Sequence, residues 1–144
     1  MREILSDIKI NASPQRVWEV LTDLASYSLW NPFVRNALGR VQEGEQLQVF
    51  IKPPDSRGMT FKPVVKEVVP QRRFSWLGHL MVPGLFDGEH IFEIDPISEE
   101  EVRFIQRERF RGIFVPLLLK GIGTKTEKGF EAMNQALKSR AENK

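Results

Sequence analysis

Cysteine is absent from this chain of 144 residues, and histidine occurs only twice. Without a thiol there is no disulfide, no thiol nucleophile and no thiolate metal ligand. His79 and His90 are the only imidazoles, and no HExxH or comparable carboxylate spacing accompanies them. A dedicated metal site is therefore not expected. No GxGxxG or P-loop is present, which removes the usual signatures of a dinucleotide or nucleotide cofactor, and the GxSxG nucleophile elbow is missing too. No cofactor is expected. No apolar run approaches the roughly 18 residues of a membrane span, and the start lacks a charged-then-apolar leader. Neither stable membrane insertion nor secretion is expected, and a cytoplasmic location is the default. A strong charge excess is lacking as well: the net charge is +2 and the pI about 9.0.

What is present suits one globular domain over residues 1–144, with 41% hydrophobic and 28% charged residues and enough length for a real core. No repeat, low-complexity tract or linker divides it. Near the end, Leu119, Ile122, Phe130, Met133 and Leu137 recur at spacings of three and four, with Thr126 in step. That is one face of a long helix within 114–141, about 25 residues and nearly 40 Å long. Such a stripe needs a broad partner surface. The middle of the chain supplies alternating, β-rich segments able to form one antiparallel sheet. The sheet is expected to curl around the helix, with the functional site in the space between them.

Residues 3–10 read as a first strand. Ser13-Pro14, an N-cap followed by proline at the first helical position, then opens a short amphipathic helix carrying Val17, Trp18, Val20, Leu21 and Leu24. A second short helical turn over 24–30 stops at Asn31-Pro32. From Val34 the period is two, with strands around 46–51, 60–69 and 73–80, loops at 53–58 and 81–88, and a last hairpin of 89–95 with 101–110. Because Pro96 cannot donate to a central ladder, pairing is expected to begin at Asp95 and Glu101. That register sets Phe92 against Phe104 and His90 against Gln106 on one face, with Glu93 against Arg103 and Glu89 against Arg107 on the other. A slip of two residues would instead set His90 against Glu108. In either case His90, Gln106 and Glu108 cluster among aromatics on the concave face.

The segments Ser13-Pro14-x-x-Val17-Trp18-x-Val20-Leu21-x-Asp23 and Trp30-Asn31-Pro32-Phe33 resemble the START-related superfamily often called SRPBCC. That group includes polyketide cyclases/dehydrases and birch-pollen-allergen-like proteins. Gly84-Leu85-Phe86-Asp87-Gly88-Glu89-His90-x-Phe92, Arg107-Glu108-Arg109-Phe110-x-Gly112 and Lys128-Gly129-Phe130-Glu131-x-Met133-Asn134-x-Ala136-Leu137-Lys138 resemble a bacterial branch of it, most of whose members have no assigned activity. The resemblance spans nearly the whole chain. It implies an α+β helix-grip fold: a curved antiparallel sheet of about seven strands wrapped on the long C-terminal helix, with two short helices after the first strand. It also implies a cavity between sheet and helix that binds hydrophobic small molecules, lipids or polyketides.

The favoured function is that of a carrier or sensor for such a ligand. The cavity is expected to be walled by Val49, Ile51, Phe61, Trp76, Phe92 and Phe110 from the sheet and by Leu117, Leu118, Ile122 and Phe130 from the helix. Trp30 and Phe33 would close one end, and His90, Gln106 and Glu108 would anchor a polar head group. The alternatives are an aromatase/cyclase- or dehydrase-like enzyme using His90 and Glu108 as acid and base, and an Hsp90-activator-like interaction module. The apolar stretches 81–86 and 113–119 read either as a cavity mouth that touches a membrane surface transiently or as ordinary buried segments. Gly121 and Gly123 inside the helix suggest a kink, a close backbone approach or a gate, with fraying of the helix as the alternative. The arginine run 103, 107, 109 and 111 is offset by acidic partners on the outer face, so no nucleic acid is expected.

Overall fold

In the computed structural model, which describes residues 2–80 and 82–143, local capping sets the first turn of chain. Strand β1 (Arg2–Ile10) runs into helix α1 (Pro14–Thr22). The Ser13 hydroxyl accepts from the Arg16 N–H at 3.1 Å, as an N-cap should, and α1 buries Val17, Val20 and Leu21. A 3-10 turn over Leu24–Ser26 leads to the single-turn helix α2 (Tyr27–Trp30), whose Tyr27 hydroxyl donates to the Leu21 carbonyl. The buried Asn31 then ends the helical segment. Its Oδ1 accepts from the N–H groups of Phe33 at 3.0 Å and Val34 at 2.9 Å, which fixes where Phe33 sits.

Strands β2 (Val34–Leu38), β3 (Gln48–Ile51) and β4 (Met59–Phe61) form one antiparallel ladder. Strands β5 (Val64–Val69), β6 (Arg73–His79), β7 (Asp87–Ser98) and β8 (Glu101–Arg111) join β1 in another, in the order β1-β8-β7-β6-β5. The 60–69 run expected as one strand is interrupted at Lys62-Pro63. There the chain leaves the first ladder and enters the second, linked across the junction by the Leu47 N–H to the Pro63 carbonyl at 2.8 Å and by a Gln46–Val64 bridge. If that run is counted as one strand, the curved sheet has the expected seven.

Helix α3 (Val115–Glu142) is continuous and lies in the curl of the sheet. Its second half buries Phe130, Met133, Leu137 and Ala141. At its far end the Arg16 guanidinium donates to the carbonyls of Arg140, Ala141 and Asn143 at 3.1–3.2 Å, a cation placed where the helix dipole is negative. Neither expected glycine requires a close approach: a Cβ on Gly121 would meet nothing within 4 Å, and one on Gly123 only ordinary contacts at 3.8–3.9 Å. The close approach is at Gly129, where a Cβ would lie 2.3 Å from the Phe33 ring. The described helices include none long and apolar enough to cross a membrane.

The last hairpin corrects the primary register. His90 pairs with Glu108, Phe92 with Gln106 and Ile94 with Phe104, which is the two-residue alternative. Pro96 does not begin the loop. It pairs with Val102, and a bulge before Ser98–Glu101 closes the turn. The proline is tolerated because the β6–β7 ladder ends at Arg73–Glu93, so beyond Ile94 that edge of β7 has no partner strand. The outer arginines are neutralised, by different acids than expected. Arg107 meets Glu93 at 2.5 Å, Arg103 meets Asp7 at 2.5 Å and Arg109 meets Glu3 at 3.0 Å.

Candidate functional site

Between the open end of the sheet and the first half of α3 lies a cavity of about 340 Å³. Its walls come from separate parts of the chain: Phe33 after α2, Ile51 and the 53–59 loop, Phe61 from β4, Trp76 and Gly78 from β6, His79, Leu80, Phe86 and Gly88 around the β6–β7 turn, and Phe110 from β8. Helix α3 contributes Ile122 and Thr126. Glu108 supplies a carboxyl to this largely apolar lining, and residues that alternate on twisted strands put it on the same face as Phe110 and Phe104.

Seven of the expected residues meet here: Phe33, Ile51, Phe61, Trp76, Glu108, Phe110 and Ile122. Val49, Phe92 and Phe130 are fully buried in the adjoining core and do not line the cavity. Leu118 packs at the core margin. Leu117 is 74% exposed, because five residues of helix turn it about 140° away from Ile122. Trp30 packs edge-on against Tyr27 and borders a separate open groove with Arg16, Asp23 and Arg140. His90 and Gln106, 1% and 0% exposed, stand behind the cavity wall.

Those two residues belong to a hydrogen-bonded chain. The His90 Nε2 lies 2.9 Å from the Gln106 Oε1. The Gln106 Nε2 donates to the Asn134 Oδ1 at 2.7 Å and to the Phe130 carbonyl at 3.3 Å, and the Asn134 Nδ2 donates to the Ser6 hydroxyl at 3.1 Å. The imidazole is stacked on Phe92 at 4.2 Å and flanked by Trp76 and Phe130. Burial in this apolar surround lowers its pKa to about 4, against an opposing contribution from the Gln106 hydrogen bond. Glu108 lies with its Oε1 3.9 Å from the His90 Nδ1. Burial pushes its carboxyl up to about 8. At neutral pH both groups are uncharged, so their proximity is not an ion pair.

Glycine on β7 leaves room beside the carboxyl: a Cβ on Gly88 would lie 2.6 Å from the Glu108 Oε2, which would have to shift. At the mouth, the His79 Nδ1 lies 2.7 Å from the Asp87 Oδ1, and Asp87 also accepts from the Gly84 N–H. That pair, Arg57 and the 53–59 loop were not foreseen as site elements. The apolar 81–88 segment was the nearest signal; Met81, at its start, lies outside the described residues. Phe86 from this segment is buried against Phe110, whereas Val82, Ile113 and Leu117 are exposed. No group of three or more His, Asp or Glu side chains capable of holding a metal occurs among the described residues.

The sequence profile of the family described as polyketide cyclase / dehydrase and lipid transport matches residues 1–142. The chain belongs to that family. No curated protein matches its sequence. Among solved structures, an aromatase/cyclase from a Streptomyces species shares 15% identity at a TM-score of 0.79, covering 98% of this chain and 93% of that one. A START superfamily protein from Mycobacterium smegmatis shares 15% at 0.71, covering 97% of each. A norcoclaurine synthase from Thalictrum flavum, a point mutant in complex with a transition state analogue, shares 12% at 0.72, covering 97% and 93%. At these identities the likeness establishes the helix-grip fold alone.

Proposed function

We propose that this protein binds a hydrophobic small molecule between its sheet and α3, as a carrier or sensor. The observation that carries this is the cavity: about 340 Å³, walled by Phe33, Phe61, Trp76, Phe86 and Phe110, with Glu108 at one side. Its volume falls at the lower end of the ~300–1,000 Å³ of small-molecule sites. Apolar ligand surface removed from water contributes about 25 cal/mol per Å², and a polar group sets orientation.

The cyclase- or dehydrase-like alternative needs an acid and a base that both reach the ligand. Only Glu108 of the two candidates lines the cavity, while His90 is sealed behind it. Binding without turnover is therefore the reading we favour. Its test is titration with Nile red, a neutral apolar fluorophore, into wild type and a Thr126→Trp variant that fills the space from α3. Saturable binding lost in the variant, with circular dichroism unchanged, is the expected result. Equal binding in both proteins would place the dye elsewhere and remove the support for this site.

A further inference from the structure

The polarity of the hydrogen-bonded chain behind the cavity is fixed from its helical end. The Phe130 carbonyl can only accept, so the Gln106 atom facing it at 3.3 Å is the amide nitrogen, and the Gln106 oxygen is left facing His90 at 2.9 Å. That oxygen also can only accept, so the imidazole proton resides on Nε2. In the neutral ring Nδ1 is then a lone pair, and it is Nδ1 that faces Glu108 at 3.9 Å. The protein has set an acceptor, not a donor, beside a half-buried carboxyl.

No other neighbour compensates. Among the described residues Glu108 forms no hydrogen bond with the protein. Arg107 and Arg109, adjacent on β8, project to the opposite face and engage Glu93 and Glu3. The β1 residue paired with Glu108 is the apolar Ile4, β7 offers Gly88 and the neutral His90, and α3 presents Ile122 and Thr126 to the cavity. The other polar ionisable side chains on the same cavity are Arg57 from the 53–59 loop and His79, which is bonded to Asp87.

Building on the cavity reading above, we infer that Glu108 acts as a hydrogen-bond donor that selects ligands whose buried end is a neutral acceptor, such as a ketone or ester carbonyl, and rejects carboxylates. A ligand carboxylate would carry its charge into a largely apolar cavity beside the Glu108 oxygens, where a single neutral carboxyl proton does not offset its desolvation. A ligand ammonium would require Glu108 to ionise and both charges to lose water, a pairing that seldom repays its desolvation. A carbonyl accepts the carboxyl proton and buries no charge. The upward shift of Glu108 and the downward shift of His90 agree with this polarity. His90, Gln106 and Asn134 are positioning residues: they hold the lone pair in place and touch no ligand.

Four probes with one apolar body test this: naphthalene, acetonaphthone, naphthoate and naphthylmethylamine, titrated at pH 7 by calorimetry. Acetonaphthone should bind several-fold more tightly than naphthalene and about tenfold or more above naphthoate. Glu108→Gln, whose amide still donates, should keep that preference, and Glu108→Leu should erase the ketone's advantage over naphthalene. Acetonaphthone affinity should fall in wild type as pH rises past the Glu108 titration, and stay level in Glu108→Gln. Nitrogen-15 chemical shifts of His90 in the unliganded protein should show a bare Nδ1. Naphthylmethylamine binding best and losing its affinity in Glu108→Gln would overturn the inference, as would a protonated Nδ1 or equal affinity for naphthoate. If naphthalene itself does not bind, the cavity reading has failed and this inference falls with it; if naphthalene binds and the head groups are not discriminated, only the inference falls.

Discussion

The two halves of α3 carry the same apolar stripe and bury it differently. In the second half Phe130, Met133 and Leu137 are fully enclosed by the sheet and by α1. In the first half Ile122 is 39% exposed, and the surface the helix covers there is the cavity. A stripe at helical spacing states that one face will be shielded from bulk water. It does not state whether the shield is a packed side chain or a hollow. The closed half supplies stability to the fold, and the open half trades packing for room.

The largest expected effect follows from that contrast. Leu137→Ala removes a fully buried side chain from the closed half and should destabilise by about 2–5 kcal/mol. Leu117→Ala, about five and a half turns earlier and so on the opposite, exposed side, should stay within about 0.5 kcal/mol. Urea denaturation of both variants checks this. A Leu137→Ala loss below about 1 kcal/mol would mean that the closed half is looser than its burial indicates.

At the boundary between core and cavity, Glu108 and His90 make stability depend on pH in opposite senses. Glu108 keeps its proton up to about 8 in the fold but releases it near 4.5 when unfolded, so its contribution is full below 4.5 and is lost as pH rises towards 8. His90 titrates near 4 in the fold and 6.5 unfolded, so its contribution is full above 6.5 and is lost as pH falls towards 4. The two slopes oppose each other between about 4.5 and 6.5, and only that of Glu108 remains above. Wild type should therefore lose about 2 kcal/mol between pH 6.5 and 8 through this group, and Glu108→Gln should be level over the same interval. Thermal denaturation across that window, with identical slopes in the two proteins, would show that the Glu108 carboxyl is solvated rather than buried.

The same contrast explains what could be read from sequence. Ser13-Pro14 marked α1 because capping is decided within four residues, and the observed Arg16 N–H bond is that local event. The inward faces of the strands were legible by alternation, which is why Phe61, Trp76, Glu108 and Phe110 were anticipated on the concave side. The hairpin register was not, because pair matching favoured the expected register, whereas the observed one sets Phe92 against Gln106 and Glu93 against Ile105. The register turned on distant elements: the β6–β7 ladder ends at the Arg73–Glu93 pair, which leaves Pro96 free to remain in β7, and β1 brings Asp7 and Glu3 to the outer arginines. Alternation also could not separate Phe92, whose neighbours fill the space above it, from Phe110, whose neighbours do not. The 53–59 loop and the His79–Asp87 pair have no period at all, so only the folded chain brings them to the cavity.

The smallest expected effect divides the two halves most cleanly, because the same substitution should change sign between them. Alanine in place of a helical glycine gains up to about 1 kcal/mol from reduced backbone freedom in the unfolded chain. At Gly121 the added methyl group meets nothing within 4 Å, so Gly121→Ala should realise most of that gain. At Gly129 the methyl carbon would sit 2.3 Å from two ring carbons of Phe33. That ring is buried and held by the Asn31 turn on one side and by edge-on packing against Phe130 on the other, so it cannot swing clear without moving its neighbours. Overpacking of this kind costs about 1–3 kcal/mol, which exceeds the helical gain, and Gly129→Ala should be net destabilising. Because Phe33 also lines the cavity, displacing it should weaken ligand binding in Gly129→Ala, while Gly121→Ala leaves affinity unchanged. Stabilisation in both variants would mean that Phe33 is free to yield, and that the end of the cavity it closes is open to rearrangement.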